Sequence, residues 1–84
     1  MPQLTSRLIL AKAIAIARKQ TGLTQSQLAK RLKKDRQYIW RIENARINIT
    51  PDYLDVILYA LNINHHIFYI LITPTIIQTP KPDT

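Results

Sequence analysis

The chain has no cysteine, which excludes a disulfide framework, a thiolate nucleophile and any cysteine metal site. Glycine is almost as scarce. Gly22 is the only one, so there is no glycine-rich loop to cradle a phosphate. Long apolar runs are missing too: none is longer than Ile67 to Ile72, far shorter than the ~20 residues of a membrane-spanning helix, so no membrane partner is expected. Met1-Pro2-Gln3-Leu4-Thr5-Ser6 puts no charge ahead of an apolar stretch, and no signal peptide is expected there. With cysteine absent as well, the expected location is the cytoplasm. Negative charge is the last shortage. Five Asp/Glu stand against twelve Lys/Arg, a net charge of +7.

That charge is unevenly placed. Residues 1–50 carry eleven basic and two acidic side chains, whereas residues 51–84 carry one basic and three acidic. One strongly basic half joined to a near-neutral half suggests a polyanion-binding face attached to something else. A hydrophobic content of 46% over 84 residues is enough for one small folded domain, with a core that is marginal by itself.

Local signals predict four helices. Thr5 or Ser6 can cap a helix from about Arg7 to Gln20, with Leu10, Ala13, Ile14 and Ala17 along one face and Gly22 just past its end. Thr24 followed three residues later by Gln27 is a capping-box pair. It opens a helix from Gln25 to about Leu32 that turns Leu28, Ala29 and Leu32 inward. Asp35 caps a third helix from Arg36 to Glu43 or Asn44, with Ile39 and Ile42 behind and Arg36, Gln37, Trp40 and Arg41 in front. Thr50-Pro51-Asp52 is a strong start for the fourth, which carries Leu54, Ile57, Leu58 and Leu61.

Two short helices joined by a tight turn, the second polar on its outer side, describe a helix-turn-helix from about Thr24 to Asn44. A helix fits the DNA major groove, where every base pair shows a distinct pattern of donors and acceptors. Arg36, Gln37 and Arg41 are the expected base readers, since Arg matches guanine and Gln matches adenine in bidentate geometry. Lys33 and Lys34 in the turn are expected at phosphates, with a solvated face shared with Lys30 and Arg31 as the alternative. Trp40 and Tyr38 are expected to contact sugar–phosphate, with packing on a neighbouring helix as the alternative for each. Adjacent His65 and His66 lack further ligands, so no metal or other cofactor is expected. Ser, His and acidic residues are too scattered for a catalytic triad, so no enzyme is expected either.

Thr24-Gln25-Ser26-Gln27-Leu28-Ala29-Lys30-Arg31-Leu32, followed by Arg36-Gln37-Tyr38-Ile39-Trp40-Arg41-Ile42-Glu43-Asn44, resembles the Cro and phage-repressor (XRE-type) helix-turn-helix family. The resemblance runs from roughly Ile9 to Leu61. It implies that Gln25 clamps a phosphate and that Asn44 and Arg46 touch the DNA backbone. It further implies that Arg18 and Glu43 form a structural ion pair. Three positions depart from the pattern: Lys33 and Ala45 stand where glycine is usual, and Lys34 where an apolar residue is usual.

Beyond Leu61 the residues Ile67, Phe68, Tyr69, Ile70, Leu71 and Ile72 are β-branched or aromatic with one exception. They predict a strand over about 66–73, ended by Pro74. A lone strand must find a partner for its backbone, so pairing with the same strand of a second subunit is expected. The expected fold is therefore mainly α: a four-helix phage-repressor-like domain with one C-terminal β-strand paired across a homodimer. Residues 1–5 would be an N-terminal arm, 6–73 the domain and 74–84 a flexible tail. A helix-turn-helix followed by one strand resembles the HipB-type antitoxins. Two recognition helices about 34 Å apart in the dimer would read a palindromic double-stranded operator, and the HipB resemblance implies repression of the protein's own operon and a kinase-like toxin partner of the HipA type. Ile76-Ile77-Gln78 in the tail is a candidate toxin contact. A stand-alone prophage or plasmid repressor is the alternative within the same fold, and a protein-interaction module that reads no DNA is the alternative outside it.

Overall fold

In the computed structural model, which describes residues 5–76, every helix begins where a side-chain oxygen meets a free backbone amide. The helices are α1 (Ser6–Gln20), α2 (Gln25–Arg31), α3 (Arg36–Glu43), α4 (Pro51–Ala60) and α5 (His65–Ile76). Thr5 Oγ1 accepts from the Leu8 amide at 3.2 Å and Thr24 Oγ1 from Gln27 at 3.0 Å. Asp35 Oδ1 accepts from Tyr38 at 2.9 Å, Thr50 Oγ1 from Tyr53 at 3.1 Å and Asn64 Oδ1 from Ile67 at 2.8 Å. At Thr24 the bond is returned, because the Thr24 amide donates to Gln27 Oε1 at 2.8 Å. Each such cap satisfies an amide that no helical carbonyl can reach, at a gain of about 1 kcal/mol.

Four helices also end alike. Gly22, Lys33, Ala45 and Asn62 all have positive φ. The following amide in each case bonds back five residues: Leu23 to Arg18, Lys34 to Ala29, Arg46 to Arg41 and Ile63 to Leu58. This left-handed closure folds the chain back sharply and occupies carbonyls the helix leaves open. The turn between α2 and α3 thus keeps its shape with Lys33 at φ 58°, and Ala45 does the same after α3.

The sharp turns stack the helices around one core. α2 packs on α3, and α1 lies against α3 and α5. Ala13, Ile14 and Ala17 of α1, Leu28 and Ala29 of α2, Ile39 and Ile42 of α3, and Ile57 and Leu58 of α4 are buried together. Alanines along α1 keep its inner surface low, so that other helices approach closely, while Ile14 fills the centre.

The C-terminal element differs from the strand expected over 66–73. Ile67, Phe68, Tyr69, Ile70, Leu71 and Ile72 lie in α5, and among the described residues there are five helices and no strand. Two physical reasons account for this. Asn64 is a helix cap, and Phe68 and Ile72, one helical turn apart, are the residues that enter the core. Packing of that pair outweighs the strand preference of β-branched residues, which is weak and context-dependent. Pro74 does not end the element either: α5 runs on to Ile76, and the Thr73 hydroxyl bonds the Tyr69 carbonyl. As a helix, α5 pairs most of its backbone groups internally and does not require a second strand. Of the expected arm over 1–5, residues 1–4 lie outside the described residues, as do residues 77–84 of the expected tail over 74–84; Thr5 caps α1 and residues 74–76 belong to α5.

Candidate nucleic-acid interface

The site is built on α3. Ile39 and Ile42 are fully buried and fix the rear of this helix to the core. Arg36, Gln37, Trp40 and Arg41 are all exposed and line one shallow depression on its front. Two helical turns thus present three long polar side chains and one indole to whatever lies outside. Lys33 and Lys34, both exposed, stand in the turn just before α3.

A buried polar cluster holds α3 at its far end. The Arg18 guanidinium donates from Nε to Glu43 Oε2 at 2.6 Å and from Nη2 to Oε1 at 3.1 Å. Its Nη1 donates to the Leu23 carbonyl at 2.7 Å. Gln25 Nε2 donates to the same Glu43 Oε1 at 3.0 Å. Glu43 therefore faces inward, where its charge is matched, and not toward an anionic ligand. Gln25 spends one amide hydrogen on Glu43 and keeps a second donor at the N-terminus of α2, where backbone amides also favour an anion.

The remaining expected site residues divide by their partners. Arg46 is exposed, with its guanidinium carbon 5.9 Å from the Trp40 ring centre. Asn44 donates from Nδ2 to the Trp40 carbonyl at 2.8 Å, which caps α3 and commits part of its side chain. Tyr38 is half-buried and meets Tyr53 of α4 edge to face, with centroids 6.2 Å apart and planes at 89°. Lys34 Nζ lies 5.0 Å from the centre of the same Tyr38 ring. Burial first, then hydrogen bonding and charge from Tyr38, push the Tyr53 phenol up to about 12. Tyr38 thus braces α3 against α4.

Two features of the structure were not anticipated. Arg31, expected only on a basic face, donates from Nη1 to the Ala60 carbonyl at 2.8 Å and ties α2 to the end of α4. A cation near a helix C-terminus is the one local signal that could have suggested this. The apolar outer surface of α5 is the other. Ile67, Tyr69 and Ile70 stay 39%, 56% and 50% exposed.

His65 pairs with Asp55 at 2.9 Å on the surface. Among the described residues no three His, Cys, Asp or Glu side chains gather as a metal site would need. No single described helix is long and apolar enough to cross a membrane.

The profile of a helix-turn-helix family, HTH_3, matches residues 14–68. Among solved structures, the wild-type restriction-modification controller protein C.Esp1396I matches with a TM-score of 0.73 at 27% identity, over 87% of this chain and 94% of that one. The same controller, solved as a tetramer on its natural 35-base-pair operator, matches at 0.71 and 28% identity over 84% and 93%. The clp gene regulator ClgR from C. glutamicum matches at 0.70 and 23% identity over 89% and 94%, a likeness of fold alone. No curated protein matches the chain.

Proposed function

This chain belongs to the helix-turn-helix family HTH_3 and is a DNA-binding transcriptional regulator rather than an enzyme; on that premise we propose that it is a homodimeric repressor that reads a palindromic operator with α3. The observation that carries the reading is the front of α3, where Arg36, Gln37 and Arg41 are exposed together on a helix whose rear is fully buried. Arg, with two donors for guanine, and Gln, with one donor and one acceptor for adenine, are side chains that match base edges in the major groove. Lys33, Lys34, Asn44 and Arg46 flank them, and together with Tyr38 and the free donor of Gln25 they are the candidate backbone contacts. The positive charge of Lys33, Lys34 and Arg46 is suited to phosphates.

The dimer rests on α5 rather than on a strand. Its inner side is in the core through Phe68 and Ile72, and its outer side keeps Ile67 and Ile70 in solvent. A helix that is apolar all round belongs in an interior, and a second copy of α5 across a two-fold axis supplies one. Two α3 helices about 34 Å apart would then meet successive major grooves. The controller protein C.Esp1396I binds its natural operator as a tetramer, which is consistent with oligomeric binding by this chain.

The kinase-like toxin partner and the HipB-type antitoxin role rested on the C-terminal strand. With a helix in that place, and with Ile77 and Gln78 outside the described residues, nothing observed favours a toxin over a stand-alone repressor. The DNA beside its own gene is the first target to try.

Fluorescence anisotropy against the duplex upstream of the gene, beside a scrambled duplex, at two salt concentrations, tests the reading. A preference of about a thousandfold or more for the upstream DNA is the expected result. Equal, steeply salt-dependent binding to both duplexes would mean that only phosphates are read, and it would remove autorepression.

A further inference from the structure

We propose that Trp40 is itself a base-reading residue, one that recognises the C5 methyl group of a thymine. The proposal rests on α3 being the helix that enters the groove and deepens that reading. At about 100° per residue, Arg36 and Arg41 mark the two edges of an arc, and Gln37 and Trp40 fall inside it. If Arg36 and Arg41 both reach base edges, the indole between them faces bases too and not the sugar–phosphate flank. The shared depression lined by Arg36, Gln37, Trp40 and Arg41 describes the same arrangement.

The chemistry of the indole narrows what it can read. It offers a broad apolar surface and a single N–H donor, and the thymine methyl is the apolar group that the major groove displays. Trp40 is 43% exposed, so the free protein leaves a large apolar surface in water that such a contact would cover. The ring is also held in advance. The Arg46 guanidinium lies 5.9 Å from its centre, within reach of a cation–π attraction. A side chain already restrained loses less freedom on binding.

The test uses the full chain. Duplexes are selected from a random pool by the wild-type protein, and each thymine of the consensus is then replaced singly by deoxyuridine, which removes only the methyl group. Affinities are read by anisotropy for the wild type, Trp40→Phe and Trp40→Ala. The expected result is one thymine per half-site whose replacement weakens wild-type binding about fourfold, the worth of one buried methyl-sized group. Trp40→Phe keeps an apolar face and keeps most of that sensitivity, whereas Trp40→Ala loses it. Wild-type binding indifferent to every deoxyuridine, or a sensitivity unchanged in Trp40→Ala, overturns the assignment while leaving the repressor reading intact. A pool that yields no consensus overturns both.

Discussion

Arg18 and Glu43, from helices α1 and α3, form a bidentate ion pair in which the two side chains are only 8% and 5% exposed. Arg18 also holds the Leu23 carbonyl, and Glu43 also accepts from Gln25. One buried charge pair therefore joins α1, the loop after it, the start of α2 and the end of α3, and it sets the tilt at which α3 leaves the core.

Breaking that pair from one side should be severe. Glu43→Gln leaves the Arg18 guanidinium buried without a counter-charge, at a cost of about 3–5 kcal/mol, a large share of the ~5–15 kcal/mol that holds a small domain together. Arg18→Met combined with Glu43→Leu removes both charges and should recover much of that loss, since an apolar pair of similar volume is often no worse than a buried ion pair. Urea denaturation of Arg18→Met, of Glu43→Leu and of the double gives the coupling directly. Additive losses would mean that the pair contributes nothing as a pair.

Base and phosphate contacts should separate by mutation. Arg41→Ala is expected to cost roughly 1–3 kcal/mol on the cognate duplex and little on random DNA. Lys34→Ala is expected to weaken both alike and to lower the salt slope by about one. Equal losses on both duplexes for Arg41→Ala would assign that residue to phosphates. Because Lys34 also lies over the Tyr38 ring, a melting curve of the variant is needed beside the titration.

The parts of the molecule that a sequence reading could reach are those carried by neighbours in the chain. Thr24 with Gln27, Asp35, and Thr50 before Pro51 are caps whose partners lie three residues away, and each predicts a helix start at the place observed. The exposed front of α3 follows from periodicity in the same way. Contacts between distant segments carry no such local mark. Tyr38 meets Tyr53 and Arg31 meets Ala60 only because the fold brings them together. The Arg18–Glu43 pair was legible only by family resemblance. α5 misled for a definite reason: its residues are apolar on every side, because one side faces the core while the other stays open, and that erases the helical period. Asn64, whose side chain caps the helix, is the local helix signal that remains.

Ala45 stands where the backbone asks for glycine. Its φ of 58° costs an L-residue about 1 kcal/mol. Ala45→Gly should relieve that, less the extra entropy glycine gives the unfolded chain, for a net gain of up to about 1 kcal/mol and a few degrees in Tm. The Arg46 amide already bonds the Arg41 carbonyl at 2.8 Å, so no rearrangement is required. A lower Tm would show that the methyl group packs usefully in the loop.

Alkaline titration should find one unusual tyrosine. Tyr53 is pushed up to about 12, against about 10 in an unfolded chain. Between those values the folded protein holds a proton that the unfolded chain has released. The associated stability is therefore fully present below pH ~10 and is lost as pH rises toward ~12. The chain has four tyrosines, so the difference in tyrosinate absorbance between wild type and Tyr53→Phe isolates the signal. A difference curve centred near 10 would mean that the phenol is solvated. Tyr53→Phe should also shed that part of the alkaline instability.

The proposed dimer makes the sharpest demand on α5, because two neighbouring residues should behave oppositely. Phe68 faces the core and Ile70 faces away. Phe68→Ala should destabilise the fold itself by about 3–5 kcal/mol through the cavity it leaves. Ile70→Asp removes no core atoms, so helix content and melting of the monomer should change little, but it sets a charge in the middle of the α5–α5 contact. An unpaired charge buried there costs several kcal/mol, enough to raise the dimer dissociation constant a hundredfold or more, at about 1.4 kcal/mol per factor of ten. Sedimentation equilibrium would then show monomer where the wild type is dimeric. Binding to a full palindrome would fall toward that of an isolated half-site, while binding to a half-site stays as it was. If Ile70→Asp sediments like the wild type, the outer face of α5 is not the interface, and the exposed Val56 and Tyr59 on α4 become the surface to mutate next.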